Sequence, residues 1–496
     1  MKKKQNALSG LSFVLTAAMA LGTCLPYLGP IEIKAAAKEF IAEKTDKGYH
    51  LRNEYFDVET GEYGEITSLK IVGDEYDTNY VMNVSDNPKQ DTSAHEWMGD
   101  LMFKTKKSGE ENWTEALTNS SDAGRSVELK DNKIVVTYDN TKTEGERAIR
   151  DFKLVETYSL TDDQLRWEIT VENTTDTDLI FGDFGVPLAF HEIWVNQGEA
   201  YEACTVDHSF VGKDSSYVYA TRPSGDGHFL LMTPDTETGA GFEYQDHWQI
   251  GQRRAEEKEW CMDQADWANG LNVFYIHSDA ISADEKSGNK GYMESSSMTL
   301  ESGKSKTYAF EFTGVADEAE MKDTLYEEGI MDAVAVPGMT FSRDMPAKMY
   351  LHTKAAAEDI SFEFRCPHTN NLHQGANTVS NNLSCERTED NTYAEFVETK
   401  IIDGEQYHIY NIAFGDLGQN DIIVNYRQNG EDKTTMLQFY MMDDLQSALD
   451  LHSDFLLKTQ WDAPGAIQDK VFDDWMMDSK SKRGSFDGYW GWGDDW

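Results

Sequence analysis

The chain has 496 residues, with 44 basic side chains, 89 acidic side chains and a formal net charge of −45. A chain of this length is too long to fold around one hydrophobic core, so it should divide into about two to four domains. The acidic balance excludes nucleic acid as a partner, because the protein would repel a phosphate backbone and release no counterions from it.

Residues 1–37 have the three parts of a secretory signal peptide: lysines at positions 2–4, an apolar run over 8–25 and three alanines at 35–37. We predict cleavage before Lys38 and export, either into the medium or to the cell surface. A membrane anchor is the alternative, but Ser9, Gly10 and Gly22 dilute the run. A lipoprotein box at 21–24 fits poorly because of Thr23. No later segment is apolar enough for insertion into a membrane.

Residues 45–316 repeat a strand pattern, in which short runs alternate between apolar and polar residues and are separated by Gly, Asn and Asp turns. Residues 133–138, 165–171 and 307–312 are examples, and residues 300–303 are typical of a hairpin turn. Such alternation indicates antiparallel strands with one face buried. The sequence therefore predicts a mainly β protein with a large antiparallel sandwich.

Three further regions follow, two with a helical pattern and one with a strand pattern. Residues 317–335 predict a linker helix, with Met321, Leu325 and Tyr326 on one side. Residues 336–440 return to strand spacing and predict a small immunoglobulin-like sandwich. Residues 441–496 open with a helical pattern behind Asp443 and Asp444, which suit a helix start.

The end of the chain mixes aromatic rings with carboxylates. Residues 461–496 hold five of the twelve tryptophans and eight aspartates. Sugars stack their C–H faces on aromatic rings, and a carboxyl pair performs glycosidic acid/base chemistry. We therefore predict a carbohydrate partner and a site in this segment.

The predicted catalytic residues are Asp494 and Asp495. The predicted substrate-binding residues are Asp473, Asp474, Trp475, Trp490, Trp492, His191 and Trp194. The alternative for the terminal cluster is an extended loop whose tryptophans fill a core while its aspartates cap helices. For His191 and Trp194, closure of the edge of the sandwich core is the favoured alternative.

The sequence predicts no metal and no cofactor. Cys366, His368, His373 and Cys385 do not have a standard zinc spacing, so a hairpin disulfide or two unrelated thiols is favoured. Asp487, Asp494 and Asp495 lack the spacing of a calcium loop. Nucleotide, dinucleotide and serine-hydrolase motifs are also missing.

Three motifs carry a resemblance to a known family: Leu-Arg-Asn-Glu-Tyr-Phe at 51–56, Gly-Glu-Ile-Thr-Ser-Leu at 64–69 and Val-Glu-Asn at 171–173. With the order of the parts, they resemble secreted bacterial glycoside hydrolase-like proteins. In those proteins a galactose-mutarotase-like supersandwich and an immunoglobulin-like domain precede a six-hairpin (α/α) toroid. The resemblance implies a carbohydrate substrate and catalytic carboxylates on the toroid, of which residues 441–496 would be the truncated start.

The functional prediction that follows is the N-terminal part of a secreted glycoside hydrolase, with the present chain inactive alone. A non-catalytic carbohydrate-binding or adhesion protein is the alternative. A polysaccharide lyase is a third possibility, since it uses the same parts, but it needs a Tyr or His base and an acidic sugar. The net negative charge disfavours such a substrate.

Overall fold

The structure is a computed structural model. It describes residues 40–81, 98–118, 124–139, 148–161, 163–190, 204–246, 271–283, 293–365 and 391–459, together with 476–477 and 484–485. Every predicted site residue lies outside these ranges. Within them, no helix has both the length and the apolar character needed to cross a bilayer.

Three antiparallel sheets build the larger part of the protein, with strands numbered in chain order. A meander contains β1 (Ile41–Lys44), β2 (Gly48–Arg52), β3 (Phe56–Gly61) and β4 (Ile66–Ile71). An eight-stranded sheet has the order β12 (Val206–Phe210), β13 (Tyr217–Thr221), β14 (Phe229–Pro234), β18 (Ser305–Val315), β10 (Gln164–Asn173), β9 (Phe152–Leu160), β8 (Lys133–Tyr138) and β7 (Arg125–Lys130).

The facing six-stranded sheet has the order β15 (Tyr244–Asp246), β16 (Leu271–Ser278), β11 (Leu179–Ala189), β5 (Met102–Lys107) and β6 (Thr114–Leu117), with β17 (Met298–Leu300) also paired to β11. The predicted large antiparallel sandwich is therefore confirmed. The turn at 300–303 does not close a hairpin as predicted, because β17 and β18 belong to different sheets. It connects the two layers instead.

One hydrophobic core joins the meander to both sheets. Strand β10 contributes one face to this core. Its buried residues Leu165, Trp167, Ile169 and Val171 occur at every second position. This period of two directs one face of the sheet inward along the whole strand. The rings of Phe103, Phe152, Phe181 and Phe184 pack edge to face within this core.

A smaller sandwich has its own core. One of its sheets has the order β19 (Asp332–Val336), β21 (Ala347–His352), β24 (Glu405–Ala413) and β23 (Tyr393–Ile402). The other has the order β20 (Thr340–Ser342), β26 (Glu431–Met442), β25 (Gly418–Gln428) and β22 (Ser361–Arg365). Only β20 and β26 pair in parallel among these described strands. A two-residue pair, β27 (Met476–Met477) and β28 (Gly484–Ser485), follows.

The helices are α1 (Asp279–Ser282), α2 (Glu318–Glu327) and α3 (Leu445–Thr459), with 3-10 turns at Thr236–Thr238 and Ala357–Asp359. Helix α2 lies within residues 317–335, where the sequence predicts a helical pattern. Asp317 caps it by accepting hydrogen bonds from the backbone N–H groups of Ala319 and Glu320. Its buried residues are the predicted Met321, Leu325 and Tyr326.

Helix α2 contacts both sandwiches. Met321 and Leu325 pack on Leu231 and Val315 of the eight-stranded sheet. The Tyr326 ring stacks on His352 of the smaller sandwich, with 4.7 Å between centroids. The helix therefore fastens the two sandwiches together.

A loop over residues 210–216 makes a second junction between the sandwiches. Thr434 donates its backbone N–H to Asp214 Oδ2 over 2.8 Å, and the hydroxyls of Ser215 and Tyr426 lie 3.1 Å apart. Phe210 also packs against the smaller core. The loop is thus held from both sides.

A buried ion pair anchors the segment after the meander. Arg222 and Asp74 have side chains 0% and 1% exposed. The Arg222 guanidinium also donates to Thr78 Oγ1 and to the Asp226 carbonyl, and it lies over the Tyr76 ring at 4.5 Å. Further partners offset part of the cost of desolvating two charges.

We expect Arg222→Met to destabilise the protein by about 3–5 kcal/mol, because Asp74 would stay buried without its counter-charge. Urea unfolding followed by fluorescence measures this loss. Arg427→Met is the control, since that exposed side chain should contribute less than about 0.5 kcal/mol. Equal losses of unfolding free energy in the two variants would contradict a stabilising role of the Arg222–Asp74 ion pair.

Glu156 is a fully buried acid within the larger core. Trp167 Nε1 donates to its Oε2 over 3.0 Å, and the Tyr158 hydroxyl lies 3.3 Å from the same oxygen. Burial raises the pKa of Glu156 to about 8. The folded protein therefore holds this carboxyl neutral at pH 7.

Because the folded pKa lies above the unfolded value, the stability associated with Glu156 is present below about pH 4.5 and is lost as the pH rises through about 8. We expect Glu156→Gln to flatten the fall in melting temperature between pH 6 and 9. Thermal unfolding across this pH range tests this expectation, with the exposed Glu172→Gln as the control. A melting temperature that falls with pH as steeply in Glu156→Gln as in the wild type would contradict the raised pKa of Glu156.

Candidate functional site

A group of reactive side chains links the two sheets of the large sandwich. It consists of Lys213, Glu243, His277, Ser296 and Tyr308, and is called here the Glu243 network. Lys213 follows β12, Glu243 precedes β15, His277 is on β16, Ser296 precedes β17 and Tyr308 is on β18. Five separate segments therefore supply it.

The Glu243 carboxylate is buried, with 0% of the side chain exposed, and every contact to it comes from a donor. Lys213 Nζ pairs with Oε2. The Ser278 hydroxyl and the Ser296 backbone N–H donate to Oε1 over 2.7 Å each, and the Ser296 hydroxyl donates to Oε2 over 2.6 Å. Such a set keeps a buried charge in place.

These contacts fix the direction of the remaining hydrogen bonds. Ser296 Oγ gives its single hydrogen to Glu243, so it accepts from His277 Nδ1, which lies 2.9 Å away. His277 Nε2 must then accept from the Tyr308 hydroxyl at 2.7 Å. The result is a chain of donors that runs from Tyr308 through His277 and Ser296 to Glu243.

Burial sets the protonation states at the Tyr308 end of this chain. Burial, with Lys213 and Lys306 as further causes, lowers the pKa of His277 to about 4 against an opposing effect of Asp279. Burial also raises the pKa of Tyr308. The imidazole is therefore neutral and the phenol protonated at pH 7, as the hydrogen-bond directions require.

Close backbone packing positions Lys213 beside Glu243. Lys213 forms an isolated bridge with Phe242, and its backbone has a φ of 55°. Gly241 makes this approach possible, because a Cβ there would lie 2.4 Å from the Lys213 carbonyl oxygen. Lys213 also belongs to the 210–216 loop, so the smaller sandwich supports the network indirectly.

A second buried acid lies on β11. Burial raises the pKa of Asp183 to about 6. Lys104 Nζ is 3.4 Å from Asp183 Oδ2, and the Ile281 N–H at the start of α1 donates to Oδ1 over 2.8 Å. This acid holds α1 against the sheet and has fewer reactive neighbours than Glu243.

The smaller sandwich carries a polar cleft of about 460 Å³ between β22, β25 and β26. Asp359, Glu363, Arg427 and Asp432 contribute charged groups to its lining. Its aromatic residue, Tyr426, is 2% exposed and so offers no stacking face to a sugar. The cleft is a weaker candidate for a glycan site than its size suggests.

The structure tests none of the predicted site residues, because Asp473, Asp474, Trp475, Trp490, Trp492, Asp494 and Asp495 lie outside the described residues, as do His191 and Trp194. They stay predictions. Across the described ranges, no group of three or more His, Cys, Asp or Glu side chains is arranged to hold a metal ion. Sequence reasoning missed the Glu243 network, since no local motif marks its members.

The fold and network define a protein built on a large antiparallel sandwich joined to a smaller one. The chain belongs to the Family of unknown function (DUF5695), whose family model matches residues 66–466. No curated protein matches the sequence.

Solved structures give the fold a counterpart. The chain is similar to a polysaccharide lyase, with 14% identity and a TM-score of 0.58 over 87% of this chain and 53% of that one. The chain thus spans about half the length of the lyase. At this identity the likeness establishes a shared fold.

Two weaker similarities cover smaller shares of the chain. A galactose mutarotase related enzyme from Lactobacillus acidophilus has 13% identity and a TM-score of 0.32, over 55% of this chain and 98% of that one. An alpha-galactosidase from Lactobacillus brevis has 9% identity and a TM-score of 0.27, over 59% and 41%.

We expect His277 to titrate with a midpoint near pH 4 and to carry its proton on Nδ1 above that pH, because Tyr308 donates to Nε2. Tyr308→Phe should raise the midpoint by removing the bond that stabilises neutral imidazole. Tyr138→Phe, in the same core, is the control. Nitrogen NMR of the imidazole measures both the titration midpoint and the tautomer of His277. A wild-type midpoint near 6.5 would contradict the lowered pKa of His277.

Proposed function

We propose that this chain is the sandwich portion of an exported carbohydrate-active enzyme. The observation that carries the proposal is the likeness to a polysaccharide lyase along 87% of the chain. It takes in both sandwiches and not the larger one alone. The predicted signal peptide at residues 1–37 supports export, because exported proteins meet polysaccharides outside the cell.

The proposal includes a helical catalytic domain that begins at α3. Asp444 caps this helix by accepting from the Ser447 N–H over 3.0 Å. Leu445, Leu449 and Leu457 are 53%, 52% and 57% exposed. Leucines on a regular helix are normally covered. Packing against further helices of a toroid would cover them, and the lyase is nearly twice as long as the region that this chain matches.

Hydrolysis is the proposed reaction, as the sequence predicts. One carboxyl group would protonate the leaving oxygen and the other would activate water or attack carbon. Asp494 and Asp495 are the proposed pair, and Asp473, Asp474, Trp475, Trp490 and Trp492 would bind the sugar. His191 and Trp194 would line the sandwich side of the same groove.

Elimination is the second candidate, and the lyase likeness favours it. An elimination needs a base that removes a carbon-bound proton next to a carboxylate, and it leaves an unsaturated sugar at the new end. Hydrolysis adds the elements of water across the broken bond and leaves a saturated sugar at the new non-reducing end, where elimination leaves the unsaturated one. The products therefore distinguish the two reactions without knowledge of the substrate.

The first test incubates the purified chain with a panel of neutral and acidic polysaccharides. Retardation in affinity gels reports binding, and mass spectrometry reports saturated or unsaturated products. We expect binding to at least one polysaccharide without turnover, because the catalytic domain would be incomplete. Absence of binding across the panel would contradict the proposed function.

Turnover that Asp495→Asn abolishes would instead place the catalytic acid within this chain and overturn its predicted inactivity. Asp403→Asn, an exposed acid on the smaller sandwich outside the lining of its polar cleft, is the matched control. Unsaturated products would replace hydrolysis with elimination.

A further inference from the structure

The smaller sandwich ends in a long edge strand. Strand β23 is the last strand of its sheet, and it pairs with β24 alone among the described strands. It has ten residues, whereas the other strands at sheet edges in the described part of the chain have two to six. Nine of its ten residues are exposed. The backbone N–H and C=O groups on its outer edge are therefore open to a further strand.

The side chains of β23 are unusually apolar for an exposed edge. Five large apolar side chains on this strand are 41–59% exposed: Tyr393, Phe396, Val397, Ile401 and Ile402. The other described edge strands together contribute one such residue, Val336 on β19. Proteins protect exposed edges with short strands, prolines or charges, because an open apolar edge pairs with other chains. Strand β23 therefore has the properties of an edge that pairs.

The ladder between β23 and β24 assigns each side chain to one face of the sheet. Phe396 and Thr399 stand directly opposite Tyr410 and His408, which are both buried. Residues that stand directly opposite one another share a face, so this face of β23 is directed toward the core of the smaller sandwich. Ile401 lies two residues beyond Thr399 and takes the same face.

The other face of the strand carries charges. Glu398 and Lys400 flank Thr399 and therefore point away from the core. Between Phe396 and Glu398 the ladder shifts by one residue, so Val397 is the extra residue of a β-bulge. The two charges thus lie beyond the bulge, on either side of one hydroxyl residue.

We propose that two copies of this chain associate by antiparallel pairing of their β23 strands, with Thr399 on the two-fold axis. In this register Glu398 of each copy lies directly across from Lys400 of the other, and the two Thr399 residues face each other. Opposite charges and paired threonines are both favourable cross-strand contacts. The two-fold axis makes the charge pair occur twice, as in any interface that uses the same surface of both copies.

Apolar side chains also meet in this register. Two residues of a bulged strand oppose one residue of its partner strand, so Phe396 and Val397 of one copy lie across from Ile401 of the other. Their contact removes from water side chains that are 49%, 41% and 59% exposed in the single chain. The association therefore covers apolar surface that the single chain leaves exposed.

Charges determine the register and do not prevent the contact. A shift that places Glu398 or Lys400 on the two-fold axis would set two like charges directly opposite each other, which destabilises a strand pair. The net charge of −45 on each copy opposes approach over long distances. At physiological ionic strength the Debye length is about 8 Å, so distant carboxylates are largely screened once the strands are in contact.

Sedimentation of the purified chain at physiological ionic strength measures the association. We expect a monomer–dimer equilibrium. Lys400→Glu should weaken the dimer about tenfold, because two contacts per dimer change from attraction to repulsion. Glu398→Lys should weaken it similarly, and the double variant Glu398→Lys/Lys400→Glu should restore the wild-type dissociation constant. Lys348→Glu, at an exposed position on β21 of the same sheet, is the control and should leave that constant unchanged.

Hydrogen exchange gives a second readout at the strand itself. The amides of β23 should exchange more slowly as the protein concentration rises, because a second copy then occupies the edge. Those of β19, at the opposite edge of the same sheet, should not change. This dependence on concentration distinguishes a second copy from a segment of the same chain that covers the strand.

A chain that stays monomeric up to about 1 mM would overturn the dimer, since even a weak interface is half occupied at that concentration. A dimer that Lys400→Glu leaves intact, or that the double variant fails to restore, would overturn the pairing through β23. Slow exchange in β23 at every concentration would do the same, because the edge would then be covered within one chain. The dimer does not depend on the proposed carbohydrate function.

Discussion

The large sandwich depends on how it buries one carboxylate. Glu243 lies between the two sheets, and an unpaired charge at that depth would cost several kcal/mol. Within the part of the chain that the structure describes, Ser278, Ser296 and Lys213 supply its donors from three different segments. Each of these segments is therefore fixed relative to the others, and so is the end of the sandwich that they form.

The same requirement links the smaller sandwich to the network. Lys213 reaches Glu243 from the 210–216 loop, and neighbouring Asp214 and Ser215 contact Thr434 and Tyr426 of the smaller sandwich. A displacement of that sandwich would move the counter-charge of a buried acid. The two β units should therefore behave as one rigid support.

Local patterns in the sequence predicted the local structure well. The alternation at 133–138 became β8 with the same bounds, and the apolar side of α2 was identified as Met321, Leu325 and Tyr326. Both follow from the period of a single element. Pairing between distant elements does not follow from a period, and the turn at 300–303 was wrongly assigned to a hairpin for that reason.

The Glu243 network shows the same limit for function. Its members are spread between residues 213 and 308, and none of them stands in a recognisable motif. Their chemistry arises from burial and mutual contact, which only the fold creates.

Hydrogen exchange on a Glu243→Leu variant tests most directly whether this carboxylate organises the end of the sandwich. Exchange should accelerate at the amides of Ser296 and Ser278 and in the 210–216 loop, while β8, β9 and β10 keep their protection. Uniform acceleration throughout the large sandwich, or unchanged exchange at Ser296, would contradict the organising role of Glu243.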